Sequence, residues 1–348
     1  MLLIGGIMVI KKLRLLVIAM LLVSIVSLYG CKENGKTVVV YTSVDQVYSE
    51  KTFKVFEQQT GIKVKAVYDI EASKSVGLAN RIISEKGNPQ ADVFWNGEIL
   101  QTIDLKVKNV LEKSDNTVAK ELPSSFTDKD GYWYGFGGRA RVLIVNKALI
   151  PLENCPKTLN ELAKSQYIKQ VGIAYPIFGT TSTHIAALYT YWGDEKTKEY
   201  FASIKDAGIS VLEGNSVVKD FVSRKKLFMG LTDTDDAFSE MEKNKDLGII
   251  LLDQGENDVG TLVIPNTVAR IKGAPHPAQA DAFIEFLLSA ETEKSLVDDG
   301  WIHIPAHESV APSKEIEAKN IKIMQVDFNE VYKKLEKSKN DMTEIFVR

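Results

Sequence analysis

YWYGFGGRARVLIV, residues 132–145, is the stretch on which the fold turns. A turn at Asp128-Lys129-Asp130-Gly131 leads into it, and it ends in a strand pattern, Val142 to Val145. The glycines at 135, 137 and 138 suggest that here the chain crosses from one lobe to another. Before it, Thr37 to Tyr41 has the β-branched and aromatic content of a strand. Phe53, Val55 and Phe56 give helical periodicity up to a stop at Thr60-Gly61, and Ile62 to Tyr68 alternates as a second strand. The unit repeats with Val76, Leu78, Ala79, Ile82 and Ile83 on a helical face, a stop at Gly87-Asn88-Pro89, and a short buried strand from Ala91 to Trp95.

After the crossing a second series follows: strands at Val171 to Tyr175, Ile209 to Leu212, Leu227 to Leu231 and Gly248 to Leu252, with helices after Thr181, Asn215 and Asp233. Thr261 to Arg270 reads as a return crossing, followed by a helix from Pro277 that buries Phe283, Ile284, Leu287 and Leu288, and a last helix near Phe328 to Lys339. Alternating strands and helices predict an α/β protein of two lobes, each a mixed, mostly parallel sheet flanked by helices. Two crossing strands join them. The expected division is 37–138 plus 264–310 for lobe 1, and 139–263 plus 311–348 for lobe 2.

The chain has 348 residues, 45% hydrophobic and 26% charged, with a net charge of -3. No long basic stripe offers itself to phosphates, which argues against nucleic acid. The N-terminus has basic Lys11, Lys12 and Arg14 before an uncharged run from Leu15 to Gly30, the pattern of an export signal over 1–30 with Met1 or Met8 as its start. Leu28-Tyr29-Gly30-Cys31 resembles a bacterial lipobox, so Cys31 is the expected lipidation site and 31–36 a lipidated tether. With Cys31 acylated, Cys155 has no disulfide partner.

In an α/β sheet the ligand crevice lies beyond the carboxyl ends of strands, where helix N-termini offer N–H groups. The polar clusters there supply the candidate ligand residues: Thr42, Ser43 and Asp45 after the first strand, Glu71 and Ser73 after the second, and Asn96 after the third. Further along, Thr180, Thr181, Ser182 and Thr183 follow Gly179, and Asn215 repeats the arrangement. The hydroxyl run suits an anion or carboxylate, and equally serves ordinary N-capping. Asp233, Asp235 and Asp236 stand within four residues; such a cluster can hold a hard cation through oxygen or meet an ammonium group. Arg139 and Arg141, two apart on a strand, face the same way and either clamp an anion or pair with that acidic loop. Trp95, Trp133 and Tyr134 either wall the cleft or pack in the core. The four histidines show no metal-ligand spacing, no nucleophile motif accompanies them, and neither a P-loop nor a dinucleotide fingerprint occurs. No cofactor and no enzyme activity are expected.

Several segments together resemble one family: Val40-Tyr41-Thr42-Ser43, Phe56 to Val64, Asn88 to Trp95, Gly138 to Val142, Gly214 to Val217 and Ile271 to Pro277. They are similar to the ferric-iron-type extracellular solute-binding proteins of ABC importers, of the type II periplasmic-binding-protein fold. The resemblance implies a monomer, exported to the periplasm or cell surface and held to the membrane by lipid. It also implies hinge closure around a small ligand and delivery to permease and ATPase subunits. Ferric iron, with or without a synergistic anion, is the ligand so implied. The adjacent tyrosines common in iron-binding members are replaced here by Asp235-Asp236, and their other usual ligands fall near Asp45-Gln46 and Val76. The expected metal residues are therefore Asp235 and Asp236. An aminophosphonate or similar anion, held by Arg139 or Arg141 and the Thr180 to Thr183 turn, is the rival reading. An enzyme or sensor of the same fold is a further alternative.

Overall fold

The computed structural model describes residues 36–69, 75–123, 126–317 and 320–346. The expected export signal over 1–30, the expected lipidation site Cys31, and Glu71 and Ser73 lie outside the described residues.

β1 (Thr37–Thr42), α1 (Gln46–Thr60), β2 (Lys63–Tyr68), α2 (Val76–Ser84) and β3 (Val93–Asn96) open the chain as two βα units. The Thr60-Gly61 stop is real: Gly61 adopts the left-handed conformation at φ 69° and returns its N–H to the Glu57 carbonyl, at 2.9 Å. β2 is an edge strand whose exposed Lys63 and Lys65 discourage pairing with another chain. α3 (Leu100–Val107) and the short β4 (Leu111–Glu112) precede the crossing strand.

That strand, β5 (Tyr134–Asn146), is a single buried run of 13 residues rather than a loop followed by a strand. Its first part, through Ala140, pairs with β10 (Val263–Ile271), and from Arg141 onward it pairs with β8 (Met229–Asp233) and β9 (Leu247–Ile250). Gly137 and Gly138 are required by this passage. A Cβ on Gly137, whose φ is 47°, would stand 2.5 Å from the Ile302 side chain, and one on Gly138 would stand 2.5 Å from Val263. The remaining elements are α4 (Leu159–Ala163), β6 (Val171–Ala174), α5 (Gly179–Trp192), α6 (Asp194–Asp206), β7 (Ser210–Leu212), α7 (Asn215–Ser223), α8 (Thr234–Met241), α9 (Pro277–Leu287), α10 (Ala290–Asp298), α11 (Lys314–Glu317) and α12 (Phe328–Phe346).

The strand order is β2-β1-β3-β10-β5-β8-β6-β7, with β4 beside β10 and β9 beside β5. Within each half, three strands run parallel, and the crossing strands lie antiparallel beside them. This is the two-lobed α/β architecture expected from the sequence, with β5 and β10 as the crossings. The first lobe packs Phe53, Phe56, Trp95, Phe283 and Trp301 into an aromatic core, with Trp95 edge-on to Phe53 and to Trp301 at 5.6 Å between centroids. Trp95, Trp133 and Tyr134 are thus core residues. α12 packs on α5 and α6 of the second lobe and reaches α3 of the first, where the Tyr332 hydroxyl donates to Asp104 at 2.7 Å.

Several boundaries differ from expectation: β8, β9 and β10 are each shifted by one or two residues, as Met229–Asp233, Leu247–Ile250 and Val263–Ile271. β3 runs from Val93 to Asn96, and just before it the wholly buried Asp92 carboxylate accepts the backbone N–H groups of Val39 (2.7 Å) and His276 (2.6 Å). α5 already begins at Gly179, and α12 runs on to Phe346. Among the described residues no helix is long and apolar enough to cross a membrane.

Candidate functional site

The loops that leave β1, β3, β6 and β8 converge on one cavity of about 40 Å³ between the lobes. It is lined by Ser43, Ser75, Gly97, Glu98, Arg139, Thr180, Asn215, Asp233, Asp235 and Asp236. A buried water requires roughly 10–15 Å³ of such space, so the cavity has room for an ion or a few small atoms. It continues outward past Asp235 and Asp236 into a mouth of about 220 Å³, bordered by Asp45, Tyr48, Ser216 and Lys219.

The inner corner belongs to the second lobe. Asp233, the last residue of β8, is 1% exposed. Its Oδ1 accepts Arg141 Nη1 at 2.7 Å; its Oδ2 accepts the Thr180 hydroxyl at 2.6 Å and Asn215 Nδ2 at 2.9 Å. Arg141 Nη2 donates to Thr181 Oγ1 at 3.3 Å, and Nη1 also reaches Thr180 and Asn215, each at 3.2 Å. Burial opposes the Asp233 carboxylate, but the Arg141 and Arg139 guanidiniums and the Thr180 hydroxyl outweigh it and hold its pKa below the ordinary value. Nearby His184 is pushed down to about 3 by burial and by Arg141, so it is neutral and structural.

The outer wall is less complete. Arg139 Nη1 donates to Asp235 Oδ2 at 2.7 Å, while Nη2 donates to the Gly97 carbonyl at 2.6 Å. Asp235 Oδ1 and Arg139 Nε are buried without a partner. Burial raises the Asp235 pKa above its ordinary value, with Arg139 only partly offsetting it. One oxygen each of Asp233, Asp235 and Asp236 lie within 4.8 Å of one another, a spacing able to take a metal ion.

The other expected residues fall at various distances from this centre. Ser43 lines the cavity, donating to Asn96 Oδ1 at 2.5 Å and accepting the Gly97 N–H at 2.9 Å; Asn96 stands behind it. Thr42 is wholly buried and accepts the Val44 N–H at 3.0 Å. Asp45 occupies the N-cap position of α1 without a side-chain cap bond and borders the cavity mouth. Thr181 serves Arg141, Ser182 is buried with its hydroxyl unpartnered, and Thr183 donates to Glu98 at 2.9 Å. Arg139 and Arg141 pair with the acidic loop, the second of the two roles their spacing allowed.

Sequence reasoning missed Ser75, Gly97, Glu98 and Tyr48. Ser75 has a φ of 73°, an uncommon conformation for a side-chain-bearing residue, which only the fold reveals. Asn96-Gly97-Glu98 after a buried strand was a legible signal, since Glu98 sits where a helix start is capped.

The family described as bacterial extracellular solute-binding protein matches residues 51–323. Among relatives, iron uptake protein A1 of Synechocystis sp. is 25% identical over 296 residues, covering 80% of each chain. A Salmonella typhi protein, named provisionally as a 2-aminoethylphosphonate-binding periplasmic protein, is 21% identical over 84% of this chain and 86% of its own. Among solved structures, apo ferric ion-binding protein A of Pasteurella haemolytica superposes with a TM-score of 0.80 at 22% identity, covering 89% of this chain and 98% of that one. The fold is therefore that of the type II periplasmic binding proteins. Since the family match spans most of the sequence and the converging loops enclose a small polar cavity, the chain belongs to the bacterial extracellular solute-binding proteins, which bind solutes rather than transform them.

Proposed function

We propose that this chain is the solute-binding lipoprotein of an ABC importer and that its solute is ferric iron, taken with an accompanying oxyanion. The observation that carries the reading is the meeting of the Asp233, Asp235 and Asp236 oxygens within 4.8 Å at the cavity, with Asp235 Oδ1 unpartnered. Ferric iron favours hard oxygen donors of this kind. Arg139 and Arg141 repel a trivalent ion, and that is why an oxyanion belongs to the reading: it would lie between the ion and the guanidiniums. The name of the Synechocystis relative agrees with this solute. Iron is cargo here, and no resident cofactor is proposed. The protein would act as a monomer, anchored through lipid on Cys31 in the periplasm or at the cell surface, and the lobes would close over the cargo before docking on permease and ATPase subunits. For those lobes we keep the bounds 37–138 plus 264–310 and 139–263 plus 311–348. Glu71 and Ser73 remain proposed ligand residues, with Ser43, Asp45, Arg139, Thr180, Asn215 and Asp233 at the cavity and its mouth.

A second reading is favoured by one observation: Asp233 and Asp235 already have guanidinium partners, while Arg139 Nε has none. An aminophosphonate would place its acid group near Arg139, Thr180 and the α5 N-terminus, and its amine near the acidic loop. The Salmonella relative carries a name of that kind.

A thermal-shift panel on the soluble chain from Lys32 separates the two, because a solute that binds only the folded state raises its midpoint. Stabilisation by ferric citrate that vanishes in Asp235→Ala is the expected result. Stabilisation by 2-aminoethylphosphonate alone would overturn iron and leave the importer role standing.

A further inference from the structure

The turn Gly97-Glu98, which follows β3 in the first lobe, grips the second lobe at adjoining positions. The Gly97 carbonyl accepts Arg139, whose other terminal nitrogen holds Asp235 of the second lobe. The Glu98 carboxylate accepts the Thr183 hydroxyl on α5, also of the second lobe, at 2.9 Å.

The two partners are prepared differently. Glu98, 2% exposed, is fixed to its own lobe, since it accepts the N–H groups of Leu100 at 2.8 Å and Gln101 at 2.7 Å and thereby holds the first turn of α3. Thr183 has a choice. Its hydroxyl donates to Glu98, yet the Gly179 carbonyl one turn back in its own helix lies only 3.4 Å away. A threonine hydroxyl readily bonds such a carbonyl, so separating the lobes strands neither group: Thr183 falls back on its helix, and Glu98 keeps its two N–H donors and gains water. The bond is therefore made on closure and given up cheaply on opening, as an element with two arrangements must be.

We propose that Glu98 and Thr183 form the closure clasp of the cleft. Thr183 does not line the cavity, so it acts as a positioning residue. Its bond seats the Gly97-Glu98 turn against the second lobe and, through the Gly97 carbonyl, fixes the Arg139 guanidinium at the cavity wall. Gly97 leaves little slack there, because a Cβ at that position would come within 3.2 Å of Arg139 Nη2. The clasp governs how long a solute stays enclosed. The inference rests on reading the lobes as a closing cleft and is independent of which solute they enclose.

The test compares Thr183→Val, which keeps the shape and removes the hydroxyl, with Thr183→Ser, which restores it. Small-angle scattering of the solute-free protein reports the balance of open and closed forms, and stopped-flow chelation reports release of ferric citrate. Thr183→Val is expected to enlarge the radius of gyration and to speed release about fivefold, the weight of one ordinary hydrogen bond. Thr183→Ser is expected to match the wild type in both. Unchanged scattering together with unchanged release in Thr183→Val overturns the clasp, as does a Thr183→Ser protein as impaired as Thr183→Val. If the wild type takes up no ferric citrate, the iron reading falls while scattering alone decides the clasp. Should Thr183→Val fail to fold, Thr183→Ala removes the same bond and is read in the same way.

Discussion

Asp233 and Asp235 stand two residues apart across a strand-to-helix junction, Asp233 ending β8 and Asp235 in the first turn of α8, both buried and each facing an arginine, yet the surroundings they meet are opposite. Asp233 has both its oxygens occupied, by Arg141, Thr180 and Asn215, and its pKa is held down, although Arg141 Nε beside it is buried without a partner. Asp235 stands in an incomplete wall, with one oxygen on Arg139, the other bare, and its pKa pushed up. The difference separates a carboxylate that organises the second lobe from one that remains available to a ligand. Fully satisfied buried networks fix a structure, and an unsatisfied member beside a cavity marks the place left for something else.

The largest expected effect tests the satisfied carboxylate. Asp233→Ala leaves the Arg141 guanidinium, whose side chain is 2% exposed, without its counter-ion. Removing one partner of a buried pair costs about 3–5 kcal/mol. Asp235→Ala should cost about 1–2 kcal/mol, because Arg139 keeps the Gly97 carbonyl as acceptor and Asp233 at 3.9 Å. Urea unfolding of both variants at neutral pH measures the difference. Equal losses would break the distinction between the two aspartates.

The next effect runs the other way. At a ferric citrate concentration 100 times its Kd, binding to the folded state adds about 2.7 kcal/mol of stability to the wild type. Asp235→Ala should lose nearly all of this increment although it folds. Asp233→Asn, which keeps the acceptor for Thr180 but gives up one of the three clustered carboxylates, should keep a reduced part of it at a lower baseline. Differential scanning with and without ferric citrate gives both numbers. A full increment in Asp235→Ala would remove that residue from the ligand set.

How far this contrast could be read in the sequence depends on the kind of signal. The β1-α1-β2 unit was legible because alternating Ile62 to Tyr68 and the Thr60-Gly61 stop are local patterns, and local forces decide them. The first crossing was legible from its glycines and the second from the run Thr261 to Arg270, although β5 is one strand of 13 residues. Helices α3, α6 and α10 escaped notice, their apolar faces being short or diluted by charge. At the site, spacing placed Arg139 and Arg141 on one side of a strand and Asp233 to Asp236 in one loop. Which arginine takes which aspartate could not be read. That follows from the antiparallel register of β5 on β8, which sets Arg141 opposite Asp233, and register is a property of two strands together. The pairing of Glu98 with Thr183 was hidden for a similar reason, since the two are 85 residues apart, although the Asn96-Gly97-Glu98 turn itself was legible.

A third aspartate, remote from the cavity, sharpens the comparison with the smallest effect. Asp253 resembles Asp235 in that burial raises its pKa, here to about 6, with Asp258 and Glu161 adding repulsion. It has no arginine. Among the described residues its oxygens accept only the Leu159 N–H, at 3.3 and 3.4 Å, and its φ is 58°. A raised folded pKa means that the folded state binds the proton more tightly than the unfolded chain, so this group's contribution is most favourable below about pH 4. It is lost as pH rises through about 6 and stays flat above. Asparagine keeps the acceptor, tolerates the left-handed backbone and carries no charge. Asp253→Asn should therefore match the wild type near pH 4 and exceed it by about 1–2 kcal/mol at pH 7, a figure discounted for partial solvation of the carboxylate. Urea unfolding at the two pH values checks this. A stability gain at pH 7 with undiminished ferric citrate binding would show that a raised pKa alone does not make an aspartate a ligand residue. Asp235 is set apart by its bare oxygen at the cavity wall.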